Sequence, residues 1–245
     1  MKEKEGRRLS TLYIRYALEK TTSIVLALSI IILLVVLIFV ANPFLDDEIY
    51  LLASRDIHFN YLRQGLFVIE IFNSLIIALL AQSFAITSIS FDSLFISYTR
   101  RNKICFSKLI AGFTIILFLI IIEALIYLAI PTIMYHKFKL NLEMLYLPLY
   151  LILRCLIELN LSIFLTTMIR SFIVPLSIAF ISASLNIVME GLDKVRRVLG
   201  YIIPVINFSN YKISIDGLFL SFLWIIALII FYVAAYNGRD LKENL

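Results

Sequence analysis

Apolar residues in this chain neither alternate with polar ones, as on a half-buried strand, nor keep to one stripe of a helix. They fill blocks of about 20 residues, the length a helix needs to cross roughly 30 Å of hydrocarbon at 1.5 Å per residue. Six such blocks can be read: Ser23–Ala41 ("SIVLALSIIILLVVLIFVA"), Gly65–Ile89, Leu109–Ile130, Leu145–Met168, Phe172–Met189 and Leu218–Tyr236. The fifth is the most diluted, with Pro175 near its start and Ser, Asn and Ala along it. The pattern predicts an all-α polytopic membrane protein with six transmembrane helices, forming a single transmembrane domain over residues 1–245.

Three shorter stretches do show a helical stripe. In "EGRRLSTLYIRYALEK" (Glu5–Lys20), Leu9, Leu12, Tyr13, Tyr16 and Ala17 share one face, and Arg8, Thr11, Arg15 and Glu19 take the other. This spacing predicts a helix lying along the membrane surface; the alternative is a basic arm that serves topology alone. In 89–101, Phe91, Leu94, Phe95 and Tyr98 form an aromatic-rich stripe, with Asp92 and Ser93 off it and Arg100, Arg101 and Lys103 following. A helix of about two turns is not stable alone and needs a surface to pack on, either the bilayer or a partner protein. In 190–217, Val195, Val198, Leu199, Ile202 and Ile203 follow helical spacing, Asp193, Lys194, Arg196 and Arg197 face away, and Gly200 and Pro204 break the run. A loop this apolar is expected to dip into the bilayer or cap the bundle.

Composition narrows the class. The chain has 245 residues, of which 62% are hydrophobic and 16% charged, against about 25% charged in soluble domains. A net charge of +5 invites a nucleic-acid reading, but in a membrane chain the distribution of charge decides. Lys2, Lys4, Arg7, Arg8, Arg15, Lys20, Arg100, Arg101, Lys103, Lys108, Arg170, Arg239 and Lys242 fall on the side of the termini. The opposite side has fewer: Arg55, Arg63, Lys137, Lys139, Lys194, Arg196, Arg197 and Lys212. Positive charge stays in the cytoplasm, so both termini are expected inside, with no cleavable signal peptide and no nucleic-acid partner. Cys105 and Cys155 lack metal-ligand spacing, and His58 and His136 lie outside the apolar blocks, so no metal site is expected. Abundant Ile, Phe, Tyr, Lys and Asn fit an AT-rich prokaryotic genome and hence a prokaryotic cell membrane.

Several polar residues interrupt the blocks: Glu70 and Asn73 in the second, Glu123 in the third, and Arg154, Glu158 and Asn160 in the fourth. A charge at the bilayer centre costs about 2.5–3.5 kcal/mol on insertion scales, so each needs a reason. Glu70, Glu123 and Arg154 lie about 5 to 9 residues from the outer ends of their blocks, hence at similar depth. Arg154 can pair with either glutamate across helices, or with Glu158 one turn along its own. Three roles stay open: an ion pair holding helices together, the lining of a polar path, and a proton or ion relay.

The order of these devices resembles the permease subunit of an ABC exporter of the ABC-2 (type V) family. The resemblance rests on an interfacial segment before the first span, a short helix after the second, and an apolar external segment between the fifth and sixth. In the loop after span two, Asp92, Leu94 and Ser97 keep the front of the family's motif, with Arg101 and Lys108 at its basic positions. Tyr98, Arg100 and Ser107 depart from the usual Pro, Ser and Gly. The closing "YNGRDLKENL" is also similar to the family's exit from span six. The resemblance implies a cytoplasmic elbow helix at 5–20, a coupling helix at 89–101 and an external re-entrant segment at 190–217. It further implies a second permease copy or homologue, and cytoplasmic P-loop ATPase subunits that seat Phe91, Leu94, Phe95 and Tyr98. The chain has no G-x-x-x-x-G-K-[ST] and no Gly-Lys dipeptide, so ATP and Mg would be bound by that partner. The expected cargo is a hydrophobic or amphipathic peptide, lipid or drug.

Two rival readings remain beside it. An ion-coupled secondary transporter would use Glu70, Glu123, Arg154 and Glu158, but it predicts internal repeats and broken helices, and the spans hold little Gly or Pro. An intramembrane enzyme would need catalytic His or paired acids on facing helices. Neither His lies in a span, and no Glu-Glu dipeptide occurs.

Overall fold

The computed structural model describes residues 11–12, 14–15, 30–31, 33–38, 64–66, 68–84, 101–129, 146–169, 173–174, 176–177, 181 and 215–238. All of them are helical. Four helices are long and apolar enough to cross a membrane: α1 (Gln64–Phe84), α2 (Arg101–Ala129), α3 (Tyr146–Ile169) and α4 (Ile215–Gly238). They coincide with the second, third, fourth and sixth apolar blocks. The first block is represented by helical residues at 33–38, whose Leu33 and Leu37 reach the core, and the fifth by Ile173, Val174, Leu176, Ser177 and Ile181.

Contacts at both ends fix the helix directions. At one end, a Cβ added to Gly65 of α1 would overlap the Tyr127 ring of α2 and sit 3.1 Å from Leu37 Cδ2. At the other end of α1, Phe84 meets Gly112 of α2, where an added Cβ would lie 3.1 Å from Phe84 Cε2 and from Leu159 Cδ2. Thus α1 and α2 are antiparallel. The N-terminus of α2 meets the C-terminus of α4, so this pair is antiparallel too. Helix α3 lies between α2 and α4, makes its broader contact with α4, and brings Phe164 to 6.2 Å from Phe231.

Burial divides the helices by role. The core gathers Leu66, Ile69, Ile76, Ile77, Leu80 and Phe84 from α1 with Ile116, Leu119, Ile120 and Tyr127 from α2 and Tyr150, Leu151 and Leu159 from α3. Helix α4 contributes few buried residues and presents Phe219, Phe222, Ile226, Ile230 and Phe231 outward, each more than half exposed. In water such a face would be a liability; in hydrocarbon it costs nothing, because lipid tails are as apolar as the core. These helices are apolar all round, as spans are, rather than striped.

One boundary differs from the sequence reading. Arg101, Asn102, Lys103 and Lys108, read as loop and span border, are the first two turns of α2. Basic residues are disfavoured at a helix N-terminus, which carries the positive end of the macrodipole. Here the antiparallel neighbour removes the conflict. Arg101 Nη1 donates to the Asn237 carbonyl (3.3 Å), one of the carbonyls that the last turn of α4 leaves without a helical partner. Asn237 Nδ2 donates to Asn102 Oδ1 (2.8 Å), and Lys108 Nζ lies 5.2 Å from the centre of the Tyr236 ring. The basic end of α2 therefore sits on the negative end of α4. The last helix likewise starts at Ile215, inside the stretch read as the external segment.

This contact is directly testable. In an Asn102→Cys/Asn237→Cys chain, mild oxidation or a short thiol cross-linker is expected to join the ends of α2 and α4 within one molecule. The native thiols Cys105 and Cys155 are buried and do not compete. Cross-linking no faster than in either single-cysteine chain would show that the two ends are apart.

Candidate functional site

The polar residues of α1, α2 and α3 converge on one buried layer. Arg154 Nη1 lies 2.7 Å from Glu70 Oε1, and the two side chains are 3% and 2% exposed. Tyr150 closes a triangle with them: its hydroxyl donates to Glu70 Oε1 (3.0 Å) and accepts from Arg154 Nη1 (3.0 Å). Tyr150 and Arg154 are four residues apart on α3, so they project from the same face, one turn apart. A buried ion pair is tolerated only when its remaining polar atoms are also met, and the tyrosine supplies part of that.

A second arm of the layer joins α1 to α2. Asn73 Nδ2 donates to Glu123 Oε2 at 2.9 Å, with both residues 1% exposed. Asn73 is three residues from Glu70, so one side of α1 meets both Arg154 of α3 and Glu123 of α2. A third arm links Ser74 of α1 to Glu158 of α3 through a side-chain hydrogen bond. Glu70 with Arg154 and Ser74 with Glu158 advance together by four residues, so α1 and α3 are parallel.

Arg154 thus meets Glu70 at 2.7 Å, while Glu158 bonds to Ser74 and also feels the charge of Arg154 one turn away on the same helix. Tyr150 and Ser74 were not picked out by charge-based reading. The signals were present in the sequence: Tyr150 stands four residues before the intramembrane arginine, and Ser74 adjoins Asn73. Farther along α3, Asn160 donates to the Leu156 carbonyl (2.7 Å), and Thr166 and Thr167 bond back to carbonyls one turn earlier.

The other expected sites fall mostly outside the described residues. This holds for Phe91, Asp92, Leu94, Phe95, Tyr98 and Arg100 of the coupling stripe, for Leu9, Tyr13 and Tyr16 of the elbow stripe, and for 190–214 of the external segment. Arg101 is described as the first residue of α2. In the N-terminal arm, Thr11, Leu12, Ile14 and Arg15 are helical. Ile14, absent from the expected stripe, packs against the core, while Leu12 is 40% exposed. Two residues on a helix point about 200° apart, so turning Ile14 toward the bundle turns Leu12 away from it.

Among the described residues, no group of three His, Cys, Asp or Glu is gathered closely enough to hold a metal ion. Compared with family models, with curated proteins and with solved structures, the chain matches none.

Proposed function

We propose that this chain is the permease subunit of an ATP-driven exporter of the ABC-2 (type V) kind. In this reading it crosses a prokaryotic cell membrane six times with both termini in the cytoplasm. It pairs with a second copy or homologue to form the path for a hydrophobic or amphipathic substrate. Separate P-loop ATPase subunits bind ATP and Mg and engage residues 89–101 through Phe91, Leu94, Phe95 and Tyr98. The chain carries no catalytic residue.

The observation that carries the reading is the joint between α2 and α4. Arg101, which follows residues 89–100 in the sequence, opens α2 and is held to the last turn of α4 through Asn237. A push on that segment would be borne by two membrane helices at once, as a transmission element requires. The helix directions add support. The meeting of residues 37, 65 and 127 at one end, and of 101 and 237 at the other, is what alternating crossings demand. One observation favours the rival, an ion-coupled secondary transporter: a layer with several buried carboxylates is more than helix packing requires.

Purification in mild detergent from the native host, with mass spectrometry of what co-purifies, tests the proposal. Wild type is expected to retain a P-loop ATPase. Phe95→Asp, which puts a charge on the apolar stripe, is expected to lose it while remaining folded. If wild type retains no ATPase across several detergents, the exporter reading fails.

A further inference from the structure

The buried layer holds more negative charge and more acceptor oxygens than its cations and donors can meet. Among the described residues of the layer, Glu70, Glu123 and Glu158 share a single guanidinium, that of Arg154, which lies 2.7 Å from Glu70. Glu123 receives its hydrogen bond from the neutral amide of Asn73, and Glu158 from the hydroxyl of Ser74. Among the described residues, three buried polar atoms have no hydrogen-bond partner: Asn73 Oδ1, Glu158 Oε1 and Asn160 Oδ1. All three are oxygens, and the first two belong to the layer. A carbonyl or an ionised carboxylate only accepts, so what the layer lacks is hydrogen donors and positive charge. In a water-poor interior both deficits are costly, and one species removes both.

We propose that Glu123 and Glu158 form a proton-binding site, each carboxyl holding one proton. Glu123 already accepts from Asn73 Nδ2 through Oε2. A proton on Oε1 can be donated to Asn73 Oδ1, closing an acid–amide pair with two hydrogen bonds and satisfying an orphaned oxygen. A proton on Glu158 turns its own orphaned oxygen into a donor and removes a buried charge for which Arg154, already bonded to Glu70, is the nearby cation. Glu70 stays ionised, because Arg154 and Tyr150 stabilise its charge. The other titratable groups around the site are Arg154, Tyr150 and Cys155 of α3 and Glu70 of α1. Because Glu123 on α2 is held through Asn73 on α1, any motion that parts these helices opens the acid–amide pair and frees the proton. Such a site is independent of the exporter reading, since ATP-driven transport needs no titrating group at this depth.

Infrared spectroscopy of the full chain in lipid nanodiscs, in sodium-free buffer at neutral pH, tests it. Wild type is expected to show the carbonyl stretch of protonated carboxyl groups. Glu123→Gln and Glu158→Gln are each expected to remove part of that band, and the double variant all of it. Glutamine mimics a protonated glutamate, so both single variants are expected to unfold at or above the wild-type temperature. Glu70→Gln leaves Arg154 without its carboxylate and is expected to unfold earlier. Absence of the band in wild type overturns the proposal, whatever the variants do. So does a band unchanged in the double variant. Stabilisation by sodium over choline that is lost in Glu158→Gln would also overturn it, because a metal cation would then occupy the proton's place.

Discussion

Arg154→Gln is expected to destabilise the bundle by about 3–5 kcal/mol, because it leaves the Glu70 carboxylate buried without its cation. The loss exceeds that of an ordinary hydrogen bond. Glu70 is 2% exposed, and the remaining neutral donor that the geometry names, the Tyr150 hydroxyl, cannot balance a full charge. The double variant Glu70→Gln/Arg154→Gln removes both charges together and is expected to recover most of the loss. A double-mutant cycle read by thermal unfolding in detergent isolates the pairwise part. Loss of equal size in the single and double variants would mean that Arg154 acts through other contacts. The same cycle with Glu123→Gln in place of Glu70→Gln is expected to recover little, since Glu123 bonds to Asn73.

Gly65→Leu is the second large effect. Gly65 is a point of close approach between α1 and α2: an added Cβ would already overlap the buried Tyr127 ring and press on Leu37. Overpacking a core costs typically about 1–3 kcal/mol, and here the obstacle is a ring that is 0% exposed and has nowhere to turn. Gly65→Ala is expected to cost less than Gly65→Leu, and Tyr127→Ala combined with Gly65→Leu to restore part of the loss by opening room. Thermal unfolding with size-exclusion profiles in detergent would check the order. Equal stability of the Leu variant and wild type would place the two helices farther apart than described. Gly112 offers a gentler version of the same test, because its neighbours are side-chain tips at 3.1 Å.

Both effects arise where the sequence pattern was silent. Hydrophobic length is a local property, since about 20 apolar residues satisfy the bilayer whatever surrounds them. The blocks at 65–89, 109–130, 145–168 and 218–236 therefore read directly as helices, and the charges within them as buried. Helix rotation is different. A span that is apolar on every side carries no stripe to say which face meets a neighbour, because core and lipid accept the same residues. For that reason Arg154 could be placed at the depth of Glu70 and Glu123, yet its choice of Glu70 depended on how α1 and α3 are turned. Tyr150, set by that same rotation, stayed hidden. In the arm, Ile14 packs against the core while Leu12 is exposed, because the neighbour that Ile14 meets lies far away in sequence.

By itself, then, the sequence determined that this is a helical membrane protein, where its most apolar helices lie, and which charges they carry, since each follows from short-range composition and length. Tertiary structure alone decided which glutamate Arg154 holds, which buried oxygens are left without donors, and that α2 begins at Arg101. In each of these the deciding partner (Glu70 for Arg154, Asn237 for Arg101) belongs to another helix, and its approach depends on rotation and packing that a uniformly apolar sequence does not encode.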